Sequence, residues 1–499
     1  MLSNNLLSLA IWVPIAAGVL VLATGSDSRA GIARILAFIG SLAGFLVTLP
    51  LFTQFDRLNG GYQFTEFHSW IPVLNINYAL GVDGISVLLV ILNSFITLMV
   101  VLAGWQVIQK RPAQYMAAFL IMSGLINGAF AAQDAILFYV FFEGMLIPLY
   151  LIIGMWGGPR RVYASVKLFL YTLLGSLLML VAMVYLSYQA GGSFSIVDFQ
   201  NLKQIPLGVQ QLLFIAFFLS FAVKVPMWPV HTWLPDAHVE APTGGSMVLA
   251  AITLKVGAYG FLRFILPILP DASRYFAPAI IVLSLIAVIY IGMVALVQTD
   301  MKKLVAYSSI SHMGFVTLGM FLFSGGYLND WALKGAIIQM ISHGFVSAAM
   351  FMCIGVMYDR LHTRNIADYG GVVNVMPKFA AFMMLFGMAN AGLPATSGFV
   401  GEFMVIMGAV EVNFWVGALA ALTLIYGASY TLWMYKRVIF GPITNPEVKE
   451  MKDINCREFA ILAILAIAVL GMGLYPQAFI EVVHQAANDL ITHVAQSKI

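Results

Sequence analysis

The chain has 499 residues, 61% of them hydrophobic and only 9% charged, against roughly 25% charged in an average soluble domain. No soluble fold hides that much apolar surface, and a net charge of +3 gives no ground for a nucleic-acid partner. Two cysteines far apart, Cys353 and Cys456, supply neither an iron–sulfur nor a structural zinc pattern.

A hydrocarbon core about 30 Å thick is crossed by roughly 20 apolar residues, and fourteen such runs follow one another along the chain. In order they are 6–22, 32–51, 87–108, 115–131, 135–155, 162–186, 212–234, 247–266, 276–297, 304–323, 336–357, 379–410, 414–434 and 459–479. The pattern predicts an all-α polytopic membrane protein of about fourteen helices. Residues 1–5 hold no Lys or Arg, so the first run lacks the basic stretch of a cleaved signal peptide and is expected to remain as a span.

With the N-terminus outside, alternate loops face the cytoplasm, where Lys and Arg collect. That side receives seventeen of the 25 cations, the outer side six (Arg57, Lys203, Arg263, Arg274, Lys334 and Lys498), and two lie inside helices. The expectation is a multi-pass protein of the bacterial inner membrane with both termini periplasmic.

The longest polar segments are 53–80, 191–208 and 441–458, and no linker divides the chain. One membrane domain is expected over 1–499, in four parts: three helices in 1–110, a first repeat in 115–270, a second, inverted repeat in 275–440, and a loop and last helix in 441–499. The seventh and twelfth spans are each interrupted by Pro and Gly, and interrupted spans at corresponding places mark inverted-repeat transporters. Helices four to eight and nine to thirteen then form two inverted five-helix repeats.

A charge at the bilayer centre costs about 2.5–3.5 kcal/mol on the insertion scale. Glu143 in the fifth span, Lys224 in the seventh, Lys255 in the eighth and Glu402 in the twelfth are such charges, and His312 and His343 lie near the middle of the tenth and eleventh. One such group is as readily a buried ion pair holding helices together, and a lone His is more often a packing residue. Six at one depth, on helices far apart in sequence, favour a proton or cation path.

Lys224 precedes Pro226 and Pro229, which break the hydrogen-bond ladder. The freed carbonyls are expected to face its ammonium, at the C-terminal end of a half-helix whose dipole suits a cation. Glu402 follows the Gly392–Gly401 break, in the first turn or so of the next half-helix, where the dipole suits an anion. A nearby Glu143 would hold the Lys224 proton, and its withdrawal would release that proton towards Lys255 or the histidines. The loop from His231 through Asp236 and His238 to Glu240 is expected at the cytoplasmic surface, as a proton entry or subunit contact rather than a metal site.

Four stretches carry a resemblance: Phe141-Phe-Glu-Gly-Met-Leu-Ile-Pro148, Lys224-Val-Pro-Met-Trp-Pro-Val-His-Thr-Trp-Leu-Pro-Asp-Ala-His238, Thr299-Asp-Met-Lys-Lys-Leu-Val-Ala-Tyr-Ser-Ser-Ile-Ser-His312 and Leu393-Pro-Ala-Thr-Ser-Gly-Phe-Val-Gly-Glu402. Here and over nearly its whole length the chain resembles the antiporter-like membrane subunits of NADH:quinone oxidoreductase, complex I, which are similar to subunits of multisubunit cation/proton antiporters. The resemblance implies the fourteen-helix inverted-repeat fold, with Glu143, Lys224, Lys255 and Glu402 as proton-channel residues and His312 and His343 as connecting groups. The acid at 402, where the L and N chains are expected to carry lysine, favours the M type, the bacterial counterpart of mitochondrial subunit 4. So does an end about twenty residues after the last span, since the L type continues into a long lateral helix.

The chain has no Rossmann glycine fingerprint and no cluster ligands. NADH, FMN, iron–sulfur clusters and quinone are therefore expected in partner subunits, with L-type and N-type chains and membrane lipids as neighbours. A sodium/proton antiporter subunit without redox coupling is the alternative within transport. A haem-b carrier using His312 and His343 lacks a further intramembrane His pair, and a pure scaffold leaves the six buried groups unexplained.

Overall fold

The computed structural model describes residues 5–25 and 27–499; most of the stretch on which the signal-peptide expectation rests, residues 1–4, lies outside them. The N-terminal helices are α1 (Leu6–Ala23) and α2 (Ala30–Thr53), followed by a hairpin of β1 (Gln63–Ile71) and β2 (Ile76–Val82) and then by α3 (Val87–Val107). Next come α4 (Pro112–Ala131), α5 (Ala135–Gly144), α6 (Leu146–Trp156), α7 (Arg161–Gln189), the short α8 (Ile196–Asn201), α9 (Leu207–Lys224) and α10 (Trp233–Glu240). The following span is built from α11 (Thr243–Val248), α12 (Leu254–Gly260) and α13 (Leu266–Ile268), joined by π-helical turns at Leu249–Thr253 and Phe261–Ile265. The span after it consists of α14 (Pro270–Ile286) and α15 (Gly292–Leu296) around a third π-turn, Ala287–Ile291.

The rest of the chain is α16 (Met301–Met320), a small β3–β4 ribbon (Phe323–Ser324, Tyr327–Leu328), α17 (Asp330–Leu361), α18 (Pro377–Asn390), α19 (Ser397–Val412), α20 (Phe414–Ile439), α21 (Pro446–Lys449), α22 (Cys456–Leu474) and α23 (Gln477–Ala495). Among the described residues, twelve helical stretches are long and apolar enough to cross a membrane. The two other apolar runs are helical as well: α16 is diluted by Lys302, Lys303, three serines and His312, and the α18–α19 run is split into halves too short to cross alone.

The fold is mostly helical, as expected, with two additions. The polar segment 53–80 contains the antiparallel β1–β2 hairpin, with Phe67 opposite Ala79. It is tied down by Glu66, whose buried carboxylate accepts from the Leu7 backbone N–H at 2.8 Å at the start of α1. Asp134 joins the hairpin to the next span: it accepts from Asn77 N at 2.9 Å and caps α5 by accepting from Ile136 N and Leu137 N. After the last span, which ends at Leu474, the chain forms the 19-residue α23, whose buried Val482, Val483, Ala486, Ala487, Leu490 and Val494 recur at helical spacing along one face.

Burial separates inside from outside. The 243–268 span is wholly buried within the protein and α17 nearly so, whereas α7 and α20 leave most of their apolar surface exposed, as lipid-facing helices do. The interior carries the titratable groups: Lys255 on α12, His312 on α16, His343 on α17 and Glu402 on α19 are all buried. α17 packs against both α16 and α19, which brings the last three together.

Candidate functional site

The breaks set the site's geometry. α9 ends at Lys224, and α10 begins only at Trp233. The freed carbonyls do not face the ammonium as the prolines suggested. Phe221 O accepts from Val225 N at 2.9 Å, Ala222 O from Met227 N at 2.7 Å, and Val223 O from the Trp233 indole at 2.9 Å. The chain beyond the break folds back and satisfies them itself. Lys224 Nζ, on a side chain from a residue only 2% exposed, is left without a hydrogen-bond partner, over the Phe142 ring at 4.9 Å from its centroid.

Glu143 lies in the last turn of α5, where the chain turns over Gly144 and Met145 before α6; Pro148 then offers no N–H to the Gly144 carbonyl. Its Oε1 is buried without a partner. No ion pair within 4.0 Å joins it to Lys224 among the described residues, but the two charges are near enough to interact through space.

α12 crosses the broken helix at Gly257, where an added Cβ would stand 2.8 Å from Lys224 Cβ, 2.9 Å from Val225 N and 3.0 Å from Phe221 O. Only a glycine admits that approach, and it sets Lys255 two residues away. Lys255 is fully buried, and its Nζ meets Ala250 O at 2.6 Å and His343 Nδ1 at 2.6 Å. The π-turn at Leu249–Thr253 widens the helix at the acceptor; such bulges recur at functional sites.

From His343 the row continues. The His343 and His312 rings lie 5.5 Å apart centre to centre, His312 Nε2 meets Glu402 Oε1 at 3.2 Å, and Gln339 Nε2 donates to the same oxygen at 3.3 Å. His343 Nε2 and His312 Nδ1 are buried without partners, leaving both free to engage across that gap. Glu402 is the sixth residue of α19, so it lies in the second turn, where a dipole effect confined to the first has faded; His312 and Gln339 are its actual partners. The break before it uses Gly392 at φ +77°, where a Cβ would stand 2.7 Å from Glu402 Oε2.

Lys255, His343, His312 and Glu402 thus form one connected group, with Lys224 and Glu143 a second pair against it across the Gly257 contact. The His231–Glu240 loop is not at the surface. Residues 233–240 form α10, and His231, His238 and Glu240 are buried because α10 packs into α7 and α16. His238 is fully buried, stacks on Phe351 at 4.4 Å, has both ring nitrogens unpartnered, and feels the charges of Lys255 and Lys302. Residue spacing pointed instead to an exposed loop, because α10 is short and mixes polar with apolar residues.

Lys302, which positive-inside counting placed in a loop, is buried and donates to Ala241 O at 2.5 Å. With Glu240, Asp359 and Arg364 it lines a cavity of about 180 Å³. No group of three or more His, Cys, Asp or Glu among the described residues is placed to hold a metal ion.

A polytopic helical fold with broken helices and a buried Lys–His–His–Glu row defines an antiporter-like membrane protein. Residues 132–426 match the family model described as NADH:quinone oxidoreductase/Mrp antiporter, and residues 58–130 match NADH-ubiquinone oxidoreductase chain 4, amino terminus. The chain belongs to the NADH:quinone oxidoreductase/Mrp antiporter family and is of its subunit M, or chain 4, type. It is 48% identical to NADH-quinone oxidoreductase subunit M of Rhodobacter capsulatus over 98% of this chain and 96% of that one. It is 45% identical to NADH-ubiquinone oxidoreductase chain 4 of Arabidopsis thaliana, over 95% of each. A chain of respiratory complex I from Thermus thermophilus superimposes with a TM-score of 0.89 at 30% identity, covering 99% of this chain and all of that one. A chain of the Mrp complex from Dietzia shares the fold, with a TM-score of 0.82 at 20% identity over 98% of this chain and 55% of that one.

Proposed function

We propose that this chain carries protons across the bacterial inner membrane through the row Glu143, Lys224, Lys255, His343, His312 and Glu402, driven by redox chemistry in partner subunits. The observation that carries this reading is the Lys255–His343–His312–Glu402 contact series. Its bonds share one sense. A Lys255 ammonium donates to His343 Nδ1, which fixes that ring as the Nε2–H tautomer; a bond from that Nε2–H to His312 Nδ1, direct or through a water, would fix His312 likewise, and its Nε2–H meets the Glu402 carboxylate. One proton entering from Lys255 shifts along the series, each ring taking a proton on Nδ1 and giving one from Nε2, and Glu402 ends protonated. A bridging water would complete the step between the two imidazoles, whose centres lie 5.5 Å apart. The rings must then return to their first tautomer, which separates one transfer from the next.

The 180 Å³ cavity at Lys302 and Glu240, with His238 between it and Lys255, is the entry from the cytoplasm. Glu143 regulates Lys224: its approach retains the lysine proton, and its withdrawal releases it. Moving one charge against 100 mV requires about 2.3 kcal/mol. We assign that supply, with NADH, FMN, iron–sulfur clusters and quinone, to other subunits, this chain having no redox chemistry of its own. L-type and N-type chains and lipids adjoin it, both termini are periplasmic, and the helices form two inverted five-helix repeats.

The test is NADH-driven proton uptake by membrane vesicles with NADH:quinone activity measured alongside, for Glu143→Ala and Lys224→Ala in complexes shown to assemble. Loss of uptake is expected. Unchanged uptake in both variants would reduce these groups to structural ones.

A further inference from the structure

Among the buried cations that take no part in the row, Arg263 stands nearest to Lys255 in sequence. Arg263, which residue counting placed among the outer-side cations, is 6% exposed on the π-turn between α12 and α13. Two of its nitrogens donate hydrogen bonds, Nε to Tyr259 Oη at 3.0 Å and Nη1 to Tyr62 Oη at 2.9 Å, while Nη2 makes no hydrogen bond and is held as an ion pair with Asp83 Oδ2 at 2.9 Å. The guanidinium carbon also lies 5.0 Å and 5.1 Å from the centroids of the Tyr62 and Tyr259 rings. Asp83 is held in turn, its Oδ1 accepting from Ile85 N and Ser86 N ahead of α3.

Lys255, Tyr259 and Arg263 stand four residues apart, so they share one face of the span leading from the buried row towards the side that carries α23. There a cavity of about 240 Å³ is lined by Arg263, Tyr62, Asp83, Gln200, Asp489 and His493. That cavity and Lys255 are separated along this face by Tyr259 and Arg263. Neither is fitted to relay. Arginine does not give up its proton in proteins, and here two hydrogen bonds and an ion pair hold it in place. The Tyr259 hydroxyl accepts from Arg263 and donates to Phe130 O at 3.0 Å, so its one proton is committed to a backbone carbonyl. A fixed guanidinium is a recognised barrier to protons and cations in membrane pores.

We propose that Arg263 is a fixed electrostatic stop, closing the Lys255 end of the row against protons from the cavity beside α23. It rests on the proton-relay reading above. It gives the buried arginine a task that a hydrophobic residue could not perform, whereas a merely structural pair is replaceable by apolar side chains of similar volume.

The experiment uses the whole complex in proteoliposomes under an imposed potassium diffusion potential, without NADH, and reads passive proton entry with a trapped pH dye. NADH:quinone activity and assembly are measured on the same preparations. Arg263→Met is expected to raise passive conductance several-fold, with quinone reduction retained and fewer protons pumped per electron. Arg263→Lys, which keeps the charge, is expected to restore tightness, and Arg263→Met combined with Lys255→Met to abolish the leak. If Arg263→Met does not assemble, Arg263→Gln carries the same expectation. Wild-type conductance in an assembled charge-removing variant overturns the proposal, as does a leak that Arg263→Lys shares or that survives loss of Lys255. Unchanged pumping in Lys224→Ala strikes the relay reading; unchanged passive conductance in Arg263→Met strikes only the stop.

Discussion

Replacing Lys255 by Met separates what the lysine does for stability from what it does for transport. Its Nζ makes two contacts of 2.6 Å, to Ala250 O and His343 Nδ1. Hydrogen bonds to a charged group contribute about 1.5–3 kcal/mol each, so the pair supplies about 3–6 kcal/mol. Against this stands the desolvation of a fully buried ammonium, several kcal/mol after relaxation. The two nearly cancel, and Lys255→Met, similar in volume and apolar, is expected to change stability by no more than about 1–2 kcal/mol. His343→Ala behaves differently: it leaves the ammonium with one partner and opens a cavity, and is expected to cost about 3–5 kcal/mol. In the assay, both variants are introduced into the complex, assembly is followed on native gels and by thermal inactivation, and proton uptake is measured with a fluorescent probe. Lys255→Met should assemble like wild type and translocate at least about tenfold more slowly, since even 1.4 kcal/mol on the transfer barrier has that effect. A Lys255→Met complex that pumps normally, or one that falls apart while His343→Ala is stable, would refute the reasoning.

Further outcomes follow from the same geometry. Glu402→Gln retains an oxygen for His312 and Gln339 but cannot accept a proton, so assembly is expected to persist and proton uptake to fall, as vesicle assays can show. Trp233→Phe strips Val223 O of its indole donor and is expected to cost about 1–3 kcal/mol, measured by thermal inactivation of the assembled complex. Gly257→Val drives a side chain into backbone atoms at 2.9–3.0 Å, and the complex is expected to assemble poorly on native gels, since overpacking of this kind costs about 1–3 kcal/mol or more. Asp134→Ala removes a helix cap and the tie to Asn77, and a loss of about 1–2 kcal/mol is expected, with proteolysis appearing first in the β1–β2 hairpin.

Much of the candidate site was legible because membranes make charge conspicuous. Lys224, Lys255, Glu143 and Glu402 stand out against runs of Leu, Val and Phe, and Pro226, Pro229 and Gly392 announce the broken helices. What stayed hidden depended on three dimensions. The capture of Val223 O by Trp233 joins residues ten apart through a fold-back that no periodicity encodes. π-Turns need one extra residue per turn and leave the apolar pattern nearly unchanged, so the widening beside Lys255 was invisible. His238 lay in a polar-looking stretch, and only the packing of α10 between α7 and α16 buries it. Arg263 obeyed the charge asymmetry of a loop residue while sitting inside a helix, because Asp83 and Tyr62 arrive from a hairpin read only as a polar segment. α23 alternates polar and apolar residues too evenly to register as a span, yet it buries a continuous stripe.

Because the Phe221, Ala222 and Val223 carbonyls are taken by the backbone and an indole, and Nζ has no hydrogen-bond partner, the Lys224 ammonium has no ligand to break before it can move. What it has instead is the diffuse attraction of the Phe142 ring. A lysine tail has four rotatable bonds, and side-chain rotation is fast compared with the shifting of whole helices. The charge can therefore be redirected by torsion of one side chain over a stationary backbone. On the proposed relay, turnover at this point is gated by where Glu143 is held rather than by bending of the broken helix.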